Sequence, residues 1–267
     1  MKLKYKNMKY ARLSETVKIK TISEDEKKGI FEIEGLYTGY GLTIGNSLRR
    51  ILLSSIPGAA VTQIKIANVK HEFTTLPGVL EDIIEIIFNL KKVRFGFHAD
   101  EPQILTVEAK GEKTITAKDI KANSLVEVIN PDAHIATLTD KKAEFKMEIT
   151  VEKGLGYVPV EERKTEKTPI GVVAIDAVFT PVMKVNFDIE NMRVGEHTDY
   201  NRLKLAVETD GSITPSEAIR KAANILSDHF VKISELEVKE SKKLSEEEPE
   251  EKPKKSAKVK KTTKAKK

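Results

Sequence analysis

Apolar and polar positions alternate with period two through much of residues 1–236. Phe31-Glu-Ile33-Glu sets its apolar groups on one face, and Phe145, Met147, Ile149 and Val151 alternate with Lys146, Glu148, Thr150 and Glu152. Such alternation marks antiparallel strands with one face in a core and the other in water. Turn chemistry separates the strands, at Ser23-Glu-Asp-Glu-Lys-Lys-Gly29 and Thr209-Asp-Gly-Ser212, and residues 161–168 are expected to form an exposed loop.

Three stretches switch to helical spacing. The first is expected over about 43–54, stopped by Pro57-Gly58, and the second over about 78–91. The third has the clearest start, with Thr214 as cap, Pro215 at the first position and Glu217 completing a capping box. Strands outnumber helices and do not alternate strictly with them, so the fold class is α+β rather than a parallel α/β sheet.

The chain has 267 residues and neither Cys nor Trp. That length buries a real core, and the missing Cys removes disulfide scaffolds, thiol catalysis and thiolate zinc sites. No apolar run reaches the roughly 20 residues of a membrane span, and the basic first ten residues precede no apolar signal core. A soluble, cytoplasmic protein is expected, without membrane contact.

Charge is placed unevenly. Residues 237–267 hold 12 Lys and 7 Glu, which leaves 34 cationic and 34 anionic side chains in residues 1–236. The basic excess therefore belongs to a tail with nothing to bury, expected to be disordered. It offers at most weak, salt-sensitive attraction to DNA, and a neutral body argues against direct DNA reading as the main task.

Candidate chemistry is sparse. Gly39-Tyr-Gly41-Leu-Thr-Ile-Gly45 misses the dinucleotide-binding spacing by one residue and is expected to be a turn feeding a helix. The five His (71, 98, 134, 197, 229) are scattered, and no Asp-rich motif suggests a two-metal site. No catalytic residue, cofactor-binding residue, cofactor or metal ligand is assigned.

Helix faces say more. In the first helix Ile44, Leu48, Ile51 and Leu52 form a core stripe, while Asn46, Arg50 and Leu53 point the opposite way. A Leu beside an Arg and an amide, turned from the core, is either a contact patch or one more surface leucine. In the third helix Ile219, Ala223, Leu226, Phe230 and Ile233 recur at spacings of 4, 3, 4 and 3, which suits either a helix-pairing seam or packing on the chain's own sheet. In the second, Glu81, Glu85 and Asn89 form a polar stripe opposite Ile83, Ile86, Ile87 and Leu90.

Gly45-Asn-Ser-Leu-Arg-Arg-Ile-Leu-Leu-Ser-Ser-Ile-Pro-Gly58 resembles the signature of bacterial RNA polymerase alpha subunits, in their amino-terminal assembly domain. The resemblance continues in order through His71-Glu-Phe73, 78–91, Leu138-Thr-Asp140, Gly156-Tyr-Val-Pro159, 169–181, 192–199 and 209–215, and covers about residues 8–236. It implies a homodimer on which the beta and beta-prime subunits of a DNA-directed RNA polymerase assemble for transcription. The implied domain is discontinuous. Residues 1–57 and 182–236 would form a dimerisation subdomain, an antiparallel sheet plus two helices, and 58–181 an inserted strand-rich subdomain with one helix.

The resemblance also assigns residues. Asn46, Arg50 and Leu53 would meet beta; Lys91, Ile175 and Asp176 would meet beta-prime. Leu48, Ile219, Ala223, Leu226, Phe230 and Ile233 would form the dimer interface, which decides the third helix in favour of the pairing seam. Nucleotide addition is expected on the partners, and DNA is met indirectly through the complex. Three departures stand out: Glu196-His197 where family members usually carry Gln and Arg, Leu155 where Arg is common, and a Lys-rich tail where a small helical DNA-binding domain usually follows. Upstream-promoter recognition is accordingly not expected.

Overall fold

The computed structural model describes residues 13–67, 69, 71–163 and 171–236. The tail at 237–267, with its expected disorder and attraction to nucleic acid, lies outside the described residues.

The chain opens with β1 (Lys18–Glu24), β2 (Lys28–Leu36) and α1 (Tyr40–Ser54). A long middle section follows, beginning with β3 (Pro57–Ile66), α2 (Ile83–Leu90), β4 (Phe95–Phe97), β5 (Gln103–Lys110), β6 (Lys113–Thr116) and β7 (Ile120–Lys121). It continues with β8 (Val126–Val128), β9 (His134–Leu138), β10 (Glu144–Leu155), β11 (Tyr157–Val158), α3 (Val160–Arg163), β12 (Val172–Ala174) and β13 (Ala177–Val178). The last elements are β14 (Val182–Val194), β15 (His197–Thr209) and α4 (Pro215–Ser234).

These elements make two lobes, because the apolar side chains gather into two separate clusters. One cluster draws only on residues 61–175 and packs α2 against a sheet ordered β12-β3-β10-β5-β7. The other joins Ile33, Leu36, Leu48, Leu52 and Ile56 to Val182, Val185, Leu203, Leu205, Val207, Ile213, Ala218 and Ala222. Its sheet runs β1-β2-β15-β14, with strands from both ends of the chain hydrogen-bonded antiparallel at the centre. The α+β expectation is met, and the alternation read at 145–151 appears as β10, with Phe145, Met147, Ile149 and Val151 all buried.

Each sheet turns its other face to water and fills it with paired charge. In the first lobe Lys20, Glu32, Lys204 and Asp188 stand opposite one another across four strands. Glu34 meets Lys20 at 2.7 Å and Arg202 at 3.3 Å, and Arg202 reaches Glu190 at 3.5 Å. The Lys20 hydrogen bond, aided by nearby cations, holds the Glu34 carboxyl below its ordinary range. In the second lobe Lys146 meets Glu108 at 3.2 Å and Lys65 meets Glu148 at 3.6 Å. Opposite charges across strands stabilise each sheet locally and leave little apolar surface on these faces.

Several expected boundaries move. The first helix begins at Tyr40, three residues early, because its first turn is capped from elsewhere. The second begins only at Ile83, where Asp82 accepts from the Glu85 amide at 2.7 Å. Residues 79–81 instead follow the edge of β9. Val79 bridges Leu138, and the Glu81 carboxylate accepts from the Thr137 amide at 2.7 Å and hydroxyl at 3.0 Å. Asn89 donates to the Ile135 carbonyl at 3.2 Å, so two members of the expected polar stripe, Glu81 and Asn89, clamp a neighbouring strand. The expected loop 161–168 begins with the helical turn α3, and residues 164–170 lie outside the described residues. Thr214 caps α4 at 3.4 Å, while the Glu217 carboxylate pairs with Lys221 at 3.0 Å.

Candidate assembly surfaces

The position of α1 follows from small residues and one distant amide. A Cβ on Gly45 would stand 2.9 Å from both Leu203 and Phe187, so only hydrogen at this position lets the helix lie this close to β14 and β15. The Gly39 amide donates to Asn201 Oδ1 at 2.9 Å and the Gly41 amide at 3.4 Å. A buried strand residue thus supplies the cap that Gly39 lacks. Leu48 and Leu52 then point into the core, with Ile44 and Ile51 packed on its edge.

What remains outside is a ridge. Asn46 and Arg50 are exposed, and Leu53 is 36 % exposed. Leu42, which the sequence reading passed over, is 60 % exposed. Three helical turns separate it from Leu53, so the two lie within about 20° of each other on the cylinder and roughly 16 Å apart. That eleven-residue spacing was the available signal. The outward face of α1 therefore carries a leucine at each end with Asn46, Arg49 and Arg50 between or beside them.

The α4 seam divides in two. Its first half is held to the core by Ala218 and Ala222, with Ile219 and Leu226 partly packed on the same cluster. Ala223 is exposed, and beyond Leu226 the helix extends past that support: Phe230 is 63 % exposed and Ile233 62 %. Val231 and Leu236 are also bare, and the sequence reading had not included them. Packing on the chain's own sheet accounts for the start of the stripe and leaves its end uncovered.

Two residues expected at contacts are buried within the single chain. Leu48, placed at the dimer interface, is 5 % exposed and spends its side chain on its own core. Ile175, placed at the beta-prime contact, is 2 % exposed and belongs to the second-lobe cluster. Helical periodicity turns Leu48 inward, and the Ile175 amide is bonded to the Thr62 carbonyl just past β12, which leaves each little surface for another chain. Neighbours of Ile175 remain accessible. Lys91 Nζ and an Asp176 oxygen lie 3.4 Å apart, both half-exposed, and the Val160 amide donates to the other Asp176 oxygen at 3.1 Å. That amide, with Lys91 and against partial burial, holds the Asp176 carboxyl below its ordinary range.

Among the described residues no three His, Asp or Glu side chains converge as metal ligands, and no helix is long and apolar enough to cross a membrane. A two-lobed α+β chain with charged sheet faces and bare apolar helix faces belongs to the class of proteins built to associate with other chains. Residues 64–180 match the family described as the RNA polymerase Rpb3/RpoA insert domain. The chain is 54 % identical over 214 residues to the DNA-directed RNA polymerase subunit alpha of Alkaliphilus oremlandii, covering 80 % of this chain and 67 % of that protein. It is 52 % identical over 226 residues to the subunit alpha of Symbiobacterium thermophilum, covering 83 % of this chain and 71 % of that one. With the subunit alpha of Carboxydothermus hydrogenoformans the identity is 53 % over 224 residues, at the same two coverages. The chain belongs to the family of alpha subunits of DNA-directed RNA polymerase.

Proposed function

We propose that this chain is the homodimeric platform on which its polymerase assembles, with a structural rather than a chemical part in transcription. Residues 1–57 and 182–236 act as the dimerisation subdomain, and 58–181 as the inserted subdomain. The reading rests on one observation above the others: α4 continues a helix-pairing seam through Phe230 and Ile233 beyond the core that supports its first half. A two-fold arrangement brings the same bare face of a second copy against it, and burial of apolar area drives the association.

The outward face of α1 is the docking ridge for beta, with Leu53 as apolar anchor, Arg50 as directional donor and Asn46 beside them. Lys91 and Asp176 form a polar contact for beta-prime. Each partner occupies one protomer, since a large subunit seated on one copy excludes its equivalent on the other.

The test is assembly in solution. Arg50→Ala and Leu53→Asp are expected to leave the dimer mass unchanged in light scattering while beta no longer co-purifies. Unchanged recovery of beta with both variants would overturn the assignment of the ridge. A wild-type chain that stays monomeric at every concentration would overturn the platform itself.

A further inference from the structure

The ridge on α1 does not end with the helix. Leu53 lies in its last turn, and Gly156 of the second lobe sits against that end, where a Cβ on Gly156 would lie 3.4 Å from the Ser54 carbonyl oxygen. Either side of this glycine are Leu155, which pairs with Pro57, and Tyr157, which pairs with Val178. Leu155 is 55 % exposed, Tyr157 59 % and Val178 40 %. Val178 in turn lines a small cleft with Lys91, Arg94 and Asp176. Apolar side chains thus lead from the first lobe to the second, and the two sets of residues assigned to separate contacts are the ends of one strip.

We propose that this strip is a single binding surface, and that the large subunit docked on Arg50 and Leu53 spans both lobes of one protomer through Leu155, Tyr157 and Val178. The inference rests on the reading of α1 as the beta ridge. The open faces of both sheets are occupied by paired charge, so an apolar partner has little to bury there. The strip has the anatomy of an interface core: apolar groups at the centre, a tyrosine among them, with Arg50 at one end and the Lys91–Asp176 pair at the other. The bare end of α4 belongs to a different part of the chain and is assigned to the second copy. One partner held by both lobes also fixes their mutual angle, which the chain itself secures through the crossings near Pro57 and Pro181 and the Arg94–Asp210 pair at 4.0 Å.

The experiment uses the whole chain co-expressed with its beta subunit. A photo-crosslinking benzoylphenylalanine replaces Tyr157 in one variant and Leu53 in another, and Tyr157→Asp is assayed for beta affinity. Crosslinks to beta from both positions, with affinity about tenfold weaker for Tyr157→Asp at unchanged dimer mass, are expected. Crosslinking to beta from position 53 but not from 157 would overturn the inference and leave the ridge intact. Crosslinking from 157 to a second copy, with none to beta, would likewise overturn it. Absence of beta crosslinks from both positions would instead overturn the reading on which it rests.

Discussion

Gly58 lies directly against the carbonyl oxygen of Phe179, so close that a Cβ at position 58 would overlap it. The two residues sit where the chain leaves the first lobe and where it returns, and their backbones touch at the crossing. Pro57-Gly58, expected from the sequence to stop a helix, is also the start of β3 and a close contact between the connections. Gly58→Ala is expected to force these strands apart and cost at least about 1–3 kcal/mol, the range for overpacking. Urea unfolding followed by circular dichroism measures it; a loss within error of zero would mean the crossing yields freely.

The exposed end of α4 predicts a dimer-specific defect. Phe230 and Ile233 contribute little to the core of a single chain, so Phe230→Asp and Ile233→Asp are expected to leave the folded monomer intact. Each removes about 1.5–3 kcal/mol of apolar burial per side chain from the pairing face. Sedimentation across a concentration series should show the monomer becoming the main species, with the far-ultraviolet spectrum unchanged.

Leu42 predicts a second anchor for beta. Truncation of an interface anchor costs upwards of about 1 kcal/mol, so Leu42→Asp is expected to weaken beta capture by roughly fivefold or more while preserving the dimer. A titration of labelled beta against the variant dimer measures it. Wild-type affinity would confine the contact to the carboxy-terminal end of α1.

Glu81 predicts an acid-sensitive clasp in the second lobe. Burial pushes its carboxyl up, but the Thr137 amide, His134 at 2.7 Å and the Thr137 hydroxyl outweigh it and set it below the ordinary range. A carboxyl lowered in the folded state stabilises the fold above its unfolded-state value, and that contribution fades as pH falls through the folded one. Glu81→Gln is expected to cost about 1–3 kcal/mol at neutral pH, by leaving partners poorly satisfied. Melting temperatures measured against pH should draw together for wild type and variant as pH falls below the ordinary glutamate value of about 4.3 and through the lowered folded one.

How much of this was legible beforehand differs from element to element. The alternation at Phe145–Val151 identified β10 because a strand with one buried face must repeat every two residues. Thr214-Pro215 identified the start of α4 because the first amides of a helix need local acceptors. The second helix was read five residues too long at its start, since residues 78–82 carry helix-compatible apolar spacing while their backbone and side chains bond to β9. The outward placement of Arg50 and Leu53 followed from helical angle alone. The inward placement of Ile175 did not, because it lies just past β12, whose three residues leave too short a pattern to read.

The sequence by itself determined the strand and helix periods, the cap of α4, the neutral body and the membership of a family, because each is written in neighbouring residues. Tertiary structure alone decided that Asn201 caps a helix some 160 residues earlier in the chain, and that Gly156 of the second lobe stands against the end of α1. Those facts depend on which distant segments the two cores draw together. Local pattern specifies which face of an element is apolar, whereas only the packed chain settles whether that face has been covered.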